Sequence, residues 1–422
     1  MKKIFLSLLL VLSTMLDSSI AYAQNTEKMV DVANGKLHAI LAGDGPYTVV
    51  FESGFMSDLS VWHKVAPEIT KHAQILVYSR AGVGKSPARP QAMNLAQHTD
   101  ELQQLIEALQ IKTPIILVGH SYGGWVVRQH AARFPQKIAG LVLVDPANET
   151  LESELKKLDA QKVLQDQKRL ENMAPPAAKA DLALVQQIFD QAKLPNTAAL
   201  PDVPMVILTS VQATRNNPFY QETAPALQVK RDLHAKLFQQ FTNGAHVVTS
   251  NSGHHIQLDE PHLVTRAIED VIIKLDKEAQ KQARRLAKQK AKQTLMQDLE
   301  KAGKEISANE IASATNSVNT ALKASQFSEA EINQLGFDLM LKAKQGTLAE
   351  LVLAYNVTQF PQSDNAYDSH GEALLNLQRY EEARKQFQKA LTLGKANPQR
   401  SPKALQGYQD NLQKAEQALQ QK

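Results

Sequence analysis

Short apolar runs alternate with longer stretches of helical periodicity through most of this chain. Residues 30–41 have the pattern of a β-hairpin, with Asn34-Gly35 as its two-residue turn. Further strands are predicted at 48–51, 74–78, 114–118, 138–144, 205–209 and 245–249, and helices at 59–71, 94–109, 122–134 and 225–241. Such alternation is typical of a mostly parallel sheet with helices on both faces, so the pattern predicts an α/β fold.

One insertion interrupts the alternation. Residues 148–200 are polar and helical, and Pro175-Pro176 breaks them. They lie between two predicted strands, where a lid over a site at the strand ends would be placed. We therefore expect a small helical cap here, within a domain that spans residues 24–276.

The amino-terminal residues have the pattern of a secretory signal peptide. Lys2 and Lys3 precede an apolar stretch at 4–12, and Ala21-Tyr22-Ala23 fits a cleavage site before Gln24. The apolar stretch is shorter than the ~18 residues that a membrane-spanning helix needs. We expect residues 1–23 to be removed and the protein to be exported, periplasmic or secreted, with no stable membrane span afterwards.

The composition changes after the last predicted strand and helix. Residues 277–308 are rich in Lys, Gln and Ala and read as a solvated helical linker. Beyond them, eight positions resemble one tetratricopeptide unit: Tyr367, Gly371, Ala373, Leu374, Tyr380, Ala383, Phe387 and Ala390. A weaker copy lies 35 residues earlier, with Gly336 opposite Gly371. Residues 309–422 are therefore expected to form helical repeats, which usually bind proteins or peptides.

The strongest chemical signal is the segment Gly119-His120-Ser121-Tyr122-Gly123. An apolar strand pattern precedes it and a helical pattern follows, which is the setting of a G-x-S-x-G nucleophile turn. Glycines on both sides let neighbouring backbone approach closely, and the helix amino terminus offers free N–H groups to a developing negative charge. Ser121 is the predicted nucleophile.

An acyl-transfer serine needs a base and an acid that orients it. The predicted base is His254, on a glycine-bearing loop after the last strand, with its neighbour His255 as the rival. The usual place for the acid, after strand 205–209, has no carboxylate. Asp145 ends the preceding strand and is the predicted acid.

Two other carboxylates are weighed against Asp145 as the acid. Glu52 stands at a strand tip and remains an alternative, whereas Asp259 is too near His254 in sequence to orient it easily. The oxyanion hole should consist of two backbone N–H groups, those of Tyr122 and Phe55, since Gly54 allows the second loop to turn inward.

Other chemistries find little support in the sequence. Gly82-Val83-Gly84-Lys85-Ser86 lacks the first glycine of a phosphate-binding loop, and Pro87 follows where a helix should open. No spacing of histidines and carboxylates suggests a metal site, so no metal or organic cofactor is expected. The net charge of +4 is mild, and nucleic acid is not an expected partner. With no cysteine, the chain forms no disulfide.

Residues from about 30 to 275 resemble the α/β-hydrolase fold family. Gly119 to Gly123 matches its nucleophile turn, residues 79–86 resemble its D-R-x-G-x-G-x-S loop, and Ser53-Gly54-Phe55 resembles its oxyanion element with Ser in place of His. Gly253-His254 resembles its histidine loop. The resemblance implies an α/β-hydrolase sheet with a helical cap, followed here by an all-α repeat module.

The expected reaction is hydrolysis of an ester, thioester, lactone or amide through a serine acyl-enzyme, on a small-molecule acyl substrate. Two alternatives stay open. In the first, the domain is a catalytically idle scaffold within a binding protein. In the second, the same site performs cofactor-free perhydrolysis or carbon–carbon cleavage. Labelling by a fluorophosphonate tests the first alternative, and substrate profiling tests the second.

Overall fold

The computed structural model describes residues 26–195, 198–213 and 218–421, and the chain divides into two compact units after Glu278. The predicted signal peptide, residues 1–23, lies outside the described residues. None of the helices described is both long enough and apolar enough to cross a membrane.

An eight-stranded sheet forms the centre of the first unit, in the part of the chain that is described. Its strands are β1 Thr26–Val32, β2 Gly35–Ala42, β3 Thr48–Glu52, β4 Gln74–Tyr78, β5 Ile115–His120, β6 Ile138–Val144, β7 Met205–Ser210 and β8 Gly244–Thr249. They lie in the order β1-β2-β4-β3-β5-β6-β7-β8. The pairs β1–β2 and β2–β4 are antiparallel and the others parallel, so the predicted mostly parallel sheet is confirmed.

Two local predictions differ from the structure. Val32 pairs with Gly35, so the hairpin loop is Ala33-Asn34 and not Asn34-Gly35. Gly35 has φ +140° and opens β2, a conformation that glycine adopts without a Cβ clash. The single helix expected at 59–71 is two short ones, a 3₁₀ turn at Leu59–Trp62 and α1 at Ala66–Ile69, because the ring of Pro67 suits only the first turn of a new helix.

Helices cover both faces of the sheet. They are α1, α2 Leu95–Ala108, α3 Tyr122–Arg133, α4 Leu151–Met173, α5 Lys179–Gln191, α6 Ala224–Phe238, α7 Ile256–Asp259 and α8 Pro261–Ser307. Side chains of alternate strand residues enter opposite cores. Val50 packs with residues of α2 and α3, whereas Val49 packs with α1 and the first turns of α8. This period of two follows from the strand pleat.

The cap consists of α4 and α5, between β6 and β7. Pro175 and Pro176 separate the two helices, since proline cannot continue the hydrogen bonding of α4 and restrains the residue before it. The predicted insertion at 148–200 contains both helices.

The second unit is helical throughout its described residues. Its helices are the later turns of α8, α9 Ile311–Ser325, α10 Glu329–Phe337, α11 Gly346–Gln359, α12 Asp364–Asn376, α13 Tyr380–Ala396 and α14 Pro402–Gln420, with a π-helical turn at Asp338–Lys342. The predicted linker 277–308 lies within α8. Its residues Leu295, Leu299 and Ala302 enter the core of the second unit, because their spacing places them on one side of the helix.

Candidate active site

Ser121 occupies a sharp turn between β5 and α3. Its backbone has φ 51° and ψ −121°, a conformation that residues with a Cβ rarely adopt. Neighbouring backbone is very close at this turn, since a Cβ on Gly123 would lie 2.4 Å from the carbonyl oxygen of Glu52. The sequence therefore needs glycine at 123 for the turn to pass beside the end of β3.

The ends of the neighbouring strands meet around Ser121. Its N–H donates to the carbonyl oxygen of Val144 at 3.2 Å, and its own carbonyl accepts from the N–H of Ala147 at 2.9 Å. On the other side, the Cβ position of Gly54 is 3.4 Å from the Cβ of Ser121. The loops after β3 and β6 thus flank the predicted nucleophile.

Asp145 and His254, the predicted acid and base, are in contact. The imidazole Nδ1 of His254 is 2.7 Å from Oδ2 of Asp145, and as an N–H it donates to that carboxylate. The Asp145 side chain is fully buried, whereas 38% of the His254 side chain is exposed. With Nδ1 facing the acid, Nε2 is the nitrogen left to accept a proton.

A backbone group of β7 completes the hold on Asp145. The N–H of Ser210 donates to Oδ1 at 3.0 Å. The end of β7 has no carboxylate of its own. It instead supplies a hydrogen-bond donor to the Asp145 carboxylate at the end of β6. Like Ser121, Asp145 has a positive φ, 39°, which residues with a Cβ rarely adopt.

Sequence reasoning missed Lys230, which also contacts Asp145. The ammonium Nζ is 2.8 Å from Oδ2, the same oxygen that His254 contacts. Burial would raise the pKa of Asp145, but the charge of Lys230 and the hydrogen bond from His254 hold it well below its usual value. A signal was present in the sequence, because Lys230 lies three or four residues from the buried Ala226, Leu227 and His234 on the inner side of α6.

A histidine network lies beside Asp145. His234 is fully buried, with Nε2 2.8 Å from the carbonyl oxygen of Pro146 and Nδ1 2.7 Å from the hydroxyl of Thr209. The same hydroxyl is 2.8 Å from Nε2 of His246. Burial lowers the pKa of His234 to about 4, so this ring is neutral at pH 7 and ties α6 and β7 to the turn after Asp145.

The alternative residues of the sequence analysis have other partners. Glu52 contacts the hydroxyl of Tyr78 and the guanidinium of Arg80 in a buried cluster, and burial raises its pKa. Oδ2 of Asp259 accepts from the N–H of Gly253 at 3.2 Å. The ring of His255 lies 5.5 Å from that of His254, and burial lowers its pKa.

Arg80 anchors the predicted oxyanion loop. It donates to the carbonyl oxygens of Ser53 at 2.6 Å and Gly54 at 2.5 Å, in addition to its contact with Glu52. The rings of Phe55 and Tyr122, whose N–H groups are the predicted oxyanion donors, lie edge to face at 5.9 Å. Arg80 lies in the loop 79–86 that resembles the family's D-R-x-G-x-G-x-S loop, and this anchoring was not predicted from the sequence.

A cavity of about 520 Å³ is lined by Phe55 and Tyr122, but not by Ser121, Asp145 or His254. Phe55, Tyr122 and Arg80 line it on the sheet side, and Pro175 and Ala178 line it from the cap. Its size is typical of sites for small organic molecules. Residues 26–195, 198–213 and 218–421 place no group of three or more histidines and carboxylates where it could hold a metal ion.

Comparison with known proteins agrees with this fold. Residues 47–221 match the profile of the alpha/beta hydrolase fold family. Protein YqjL of Bacillus subtilis is 29% identical over 235 residues, which are 54% of this chain and 85% of YqjL. Lipase LipV of Mycobacterium tuberculosis is 36% identical over 107 residues, which are 24% of this chain and 38% of LipV.

Among solved structures, carboxylesterase CesB from Bacillus subtilis is similar with a TM-score of 0.41 and 15% identity, over 59% of this chain and 92% of CesB. The family match covers the strands that carry the predicted nucleophile and acid. The first unit of this chain has the α/β hydrolase fold, and the chain is a hydrolase.

Proposed function

We propose that the chain is an exported serine hydrolase that cleaves an ester, thioester, lactone or amide through an acyl-enzyme on Ser121. The observation that carries the proposal is the 2.7 Å contact between His254 and Asp145, next to a serine held in a strained turn. A buried carboxylate that fixes the tautomer of a histidine prepares that histidine to act as a general base.

The proposed reaction begins at the Ser121 hydroxyl. Its oxygen attacks the substrate carbonyl carbon, while Nε2 of His254 takes the hydroxyl proton. Asp145 stabilises the imidazolium that forms. The backbone N–H groups of Phe55 and Tyr122 donate to the negatively charged oxygen of the tetrahedral intermediate. His254 then passes its proton to the leaving group, and the acyl group remains on Ser121.

Water completes the proposed cycle. His254 removes a proton from a water molecule, and the resulting hydroxide attacks the acyl carbon. Collapse of the second tetrahedral intermediate releases the acid and returns the proton to Ser121. Phe55, Met56 and cap residues that are mostly Pro and Ala border the cavity, together with the charged Arg80, Arg89 and Asp181, so its wall offers a substrate both apolar and charged contacts.

Fluorophosphonate labelling tests this function, because such a reagent forms a covalent bond only with an activated serine. We expect labelling at Ser121, located by peptide mass spectrometry, and turnover of one or more chromogenic 4-nitrophenyl esters. The Ser121→Ala variant should be unlabelled, with the exposed Ser60→Ala as matched control. Labelling at another residue, or turnover retained in Ser121→Ala, would contradict the proposal.

Export is the second part of the proposal and rests on the signal-like residues 1–23. Amino-terminal sequencing of the protein recovered from outside the cytoplasm should begin at Gln24. An exported form that retains Lys2 would contradict it.

The third part is that the second unit is a repeat module for protein or peptide contacts. Two of its glycines support this by their similar packing. A Cβ on Gly336 would lie 2.5 Å from Leu353, and a Cβ on Gly371 would lie 2.5 Å from Phe387. A chain ending at Glu278 should keep turnover of a small ester, because the proposed catalytic groups precede that residue. Failure of this shorter chain to fold would mean that the helices complete the hydrolase.

A further inference from the structure

Two nitrogens share one oxygen of the buried carboxylate. Oδ2 of Asp145 is 2.8 Å from the Lys230 ammonium and 2.7 Å from Nδ1 of His254. The Asp145 side chain has no exposed surface, and 10% of the Lys230 side chain is exposed. Solvent therefore does not reach the carboxylate between the two nitrogens, and only the His254 side of the arrangement, 38% exposed, is open to screening.

This arrangement changes what the carboxylate does for the histidine. In a serine hydrolase the acid stabilises the imidazolium through its negative charge. Here the same oxygen already neutralises a lysine, so a protonated His254 would meet a second cation. The ion pair with Lys230 also keeps Asp145 ionised while His254 is neutral, which is the state in which His254 can accept the Ser121 proton.

The remaining titratable groups around the pair are three histidines and the carboxylate of Asp259, which accepts from the N–H of Gly253. The ring of His120 on β5 lies 4.8 Å from that of His254, His255 is its neighbour in sequence, and His234 on α6 lies beside Asp145. Burial lowers the pKa of all three, so they are uncharged near pH 7. Lys230 therefore supplies the positive charge that acts on the pair.

We propose that Lys230 is a positioning residue of the catalytic pair: its ammonium fixes the Asp145 carboxylate and opposes protonation of His254, so that the histidine stays available as a base at lower pH. The inference rests on the proposed serine-hydrolase function. It identifies α6 as the element that sets the acidic limit of activity.

Removal of the lysine charge should move that limit. Without Lys230, the Asp145–His254 pair takes up a proton at higher pH, and the protonated histidine cannot accept the Ser121 proton. The acidic limb of the pH–rate profile should then shift upward by about one pH unit in Lys230→Met. Lys230→Gln keeps a hydrogen-bond donor without charge and should shift the limb in the same direction. Lys230→Arg keeps the charge and should leave the limb nearly in place.

The experiment measures the second-order rate of fluorophosphonate labelling between pH 4 and 9 on the full-length chain, with circular dichroism melts of each variant. Lys236→Met is the matched control, since Lys236 is an exposed lysine on the same helix. The position of the limb is the readout, because a loss of packing would lower the rate at every pH without moving the limb.

An upward shift in both neutral variants, with none in Lys230→Arg or Lys236→Met, supports the inference. An unmoved limb in the neutral variants, or an equal shift in Lys230→Arg, overturns it while leaving Ser121 chemistry intact. If neither neutral variant folds, Lys230 is a structural residue and the inference is wrong. If the wild-type protein is not labelled at all, the proposed function itself is overturned.

Discussion

Two buried carboxylates stand at the ends of β3 and β6, the strands on either side of β5. Glu52 and Asp145 are each 1% exposed, and each pairs with a buried cation, Arg80 in one case and Lys230 in the other. Their pKa values nevertheless shift in opposite directions, upward for Glu52 and downward for Asp145. Burial and an ion pair are thus common to both and do not identify the acid of the pair.

What separates the two carboxylates is the third partner. The second oxygen of Glu52 is taken by the hydroxyl of Tyr78, which closes the cluster. Asp145 instead contacts a half-exposed histidine, and its other oxygen accepts a backbone N–H. We call Asp145, Lys230 and His254 the β6 cluster, and Glu52, Tyr78 and Arg80 the β3 cluster. We infer that the β6 cluster exchanges a proton with its surroundings, whereas the β3 cluster holds a loop in place.

The largest effect is expected at Asp145. Asp145→Asn keeps the side-chain size but cannot hold His254 in the same tautomer, so turnover of a responsive ester should fall at least about a hundred-fold near pH 7. Steady-state kinetics with a melt to confirm folding measure this. Near-wild-type turnover, with Glu52→Gln inactive, would reverse the comparison.

Glu52→Gln comes second, and its effect should be on stability first. Arg80 loses its buried partner, and breaking such a pair costs about 3 kcal/mol in unfolding free energy. Turnover should fall only about ten-fold, through looser placement of the Ser53 and Gly54 carbonyls that Arg80 holds. Urea unfolding and kinetics on the same variant separate the two effects. A drop in turnover as large as that of Asp145→Asn would contradict a loop-holding role.

The residues predicted from the sequence lie at strand ends and turns, whereas the missed residue, Lys230, lies within a helix. Strand positions, Ser121, Asp145 and His254 are predicted from local apolar runs, turn residues and chain order, and the structure brings the side chains of Asp145 and His254 into contact. Lys230 lies within a helix, where no turn or strand end marks it, so the helical spacing indicates its burial but not its contact with Asp145. The hairpin turn was misplaced by one residue, because register depends on which side chains become buried once β2 pairs with β4.

The pH dependence of stability provides a test at His234, the buried histidine beside Asp145. Its pKa is lowered to about 4 in the folded protein from a usual value of 6.5, so as the pH falls between these values only the unfolded chain gains the proton. The wild-type protein should lose up to about 3 kcal/mol of stability over this range from His234 alone.

His234→Gln should make the fall in melting temperature over this range shallower, with the exposed His63→Gln as control. Thermal melts in buffers from pH 7 to pH 4 measure the slope. An unchanged slope in His234→Gln would mean that the ring is protonated in the folded state.

Tyr78→Phe should have the smallest effect. It removes the hydroxyl that donates to Glu52 but leaves the ion pair with Arg80, so we expect a loss of about 1 kcal/mol in stability and turnover within a few-fold of wild type. Kinetics and urea unfolding are again the measurements. A turnover loss near that of Asp145→Asn would show that proton exchange also involves the β3 cluster.

The backbone at Ser121 and Asp145 has a consequence for how this protein is able to evolve. Both residues have positive φ, 51° and 39°, which costs a residue with a Cβ on the order of 1 kcal/mol or more. Glycine at 121 would relieve that strain but would carry no hydroxyl, whereas glycine at 145 would also leave the buried Lys230 ammonium without its partner. Selection for thermal tolerance and selection for activity therefore favour opposite substitutions at codon 121, and a laboratory screen for stability alone should drift towards an inert protein.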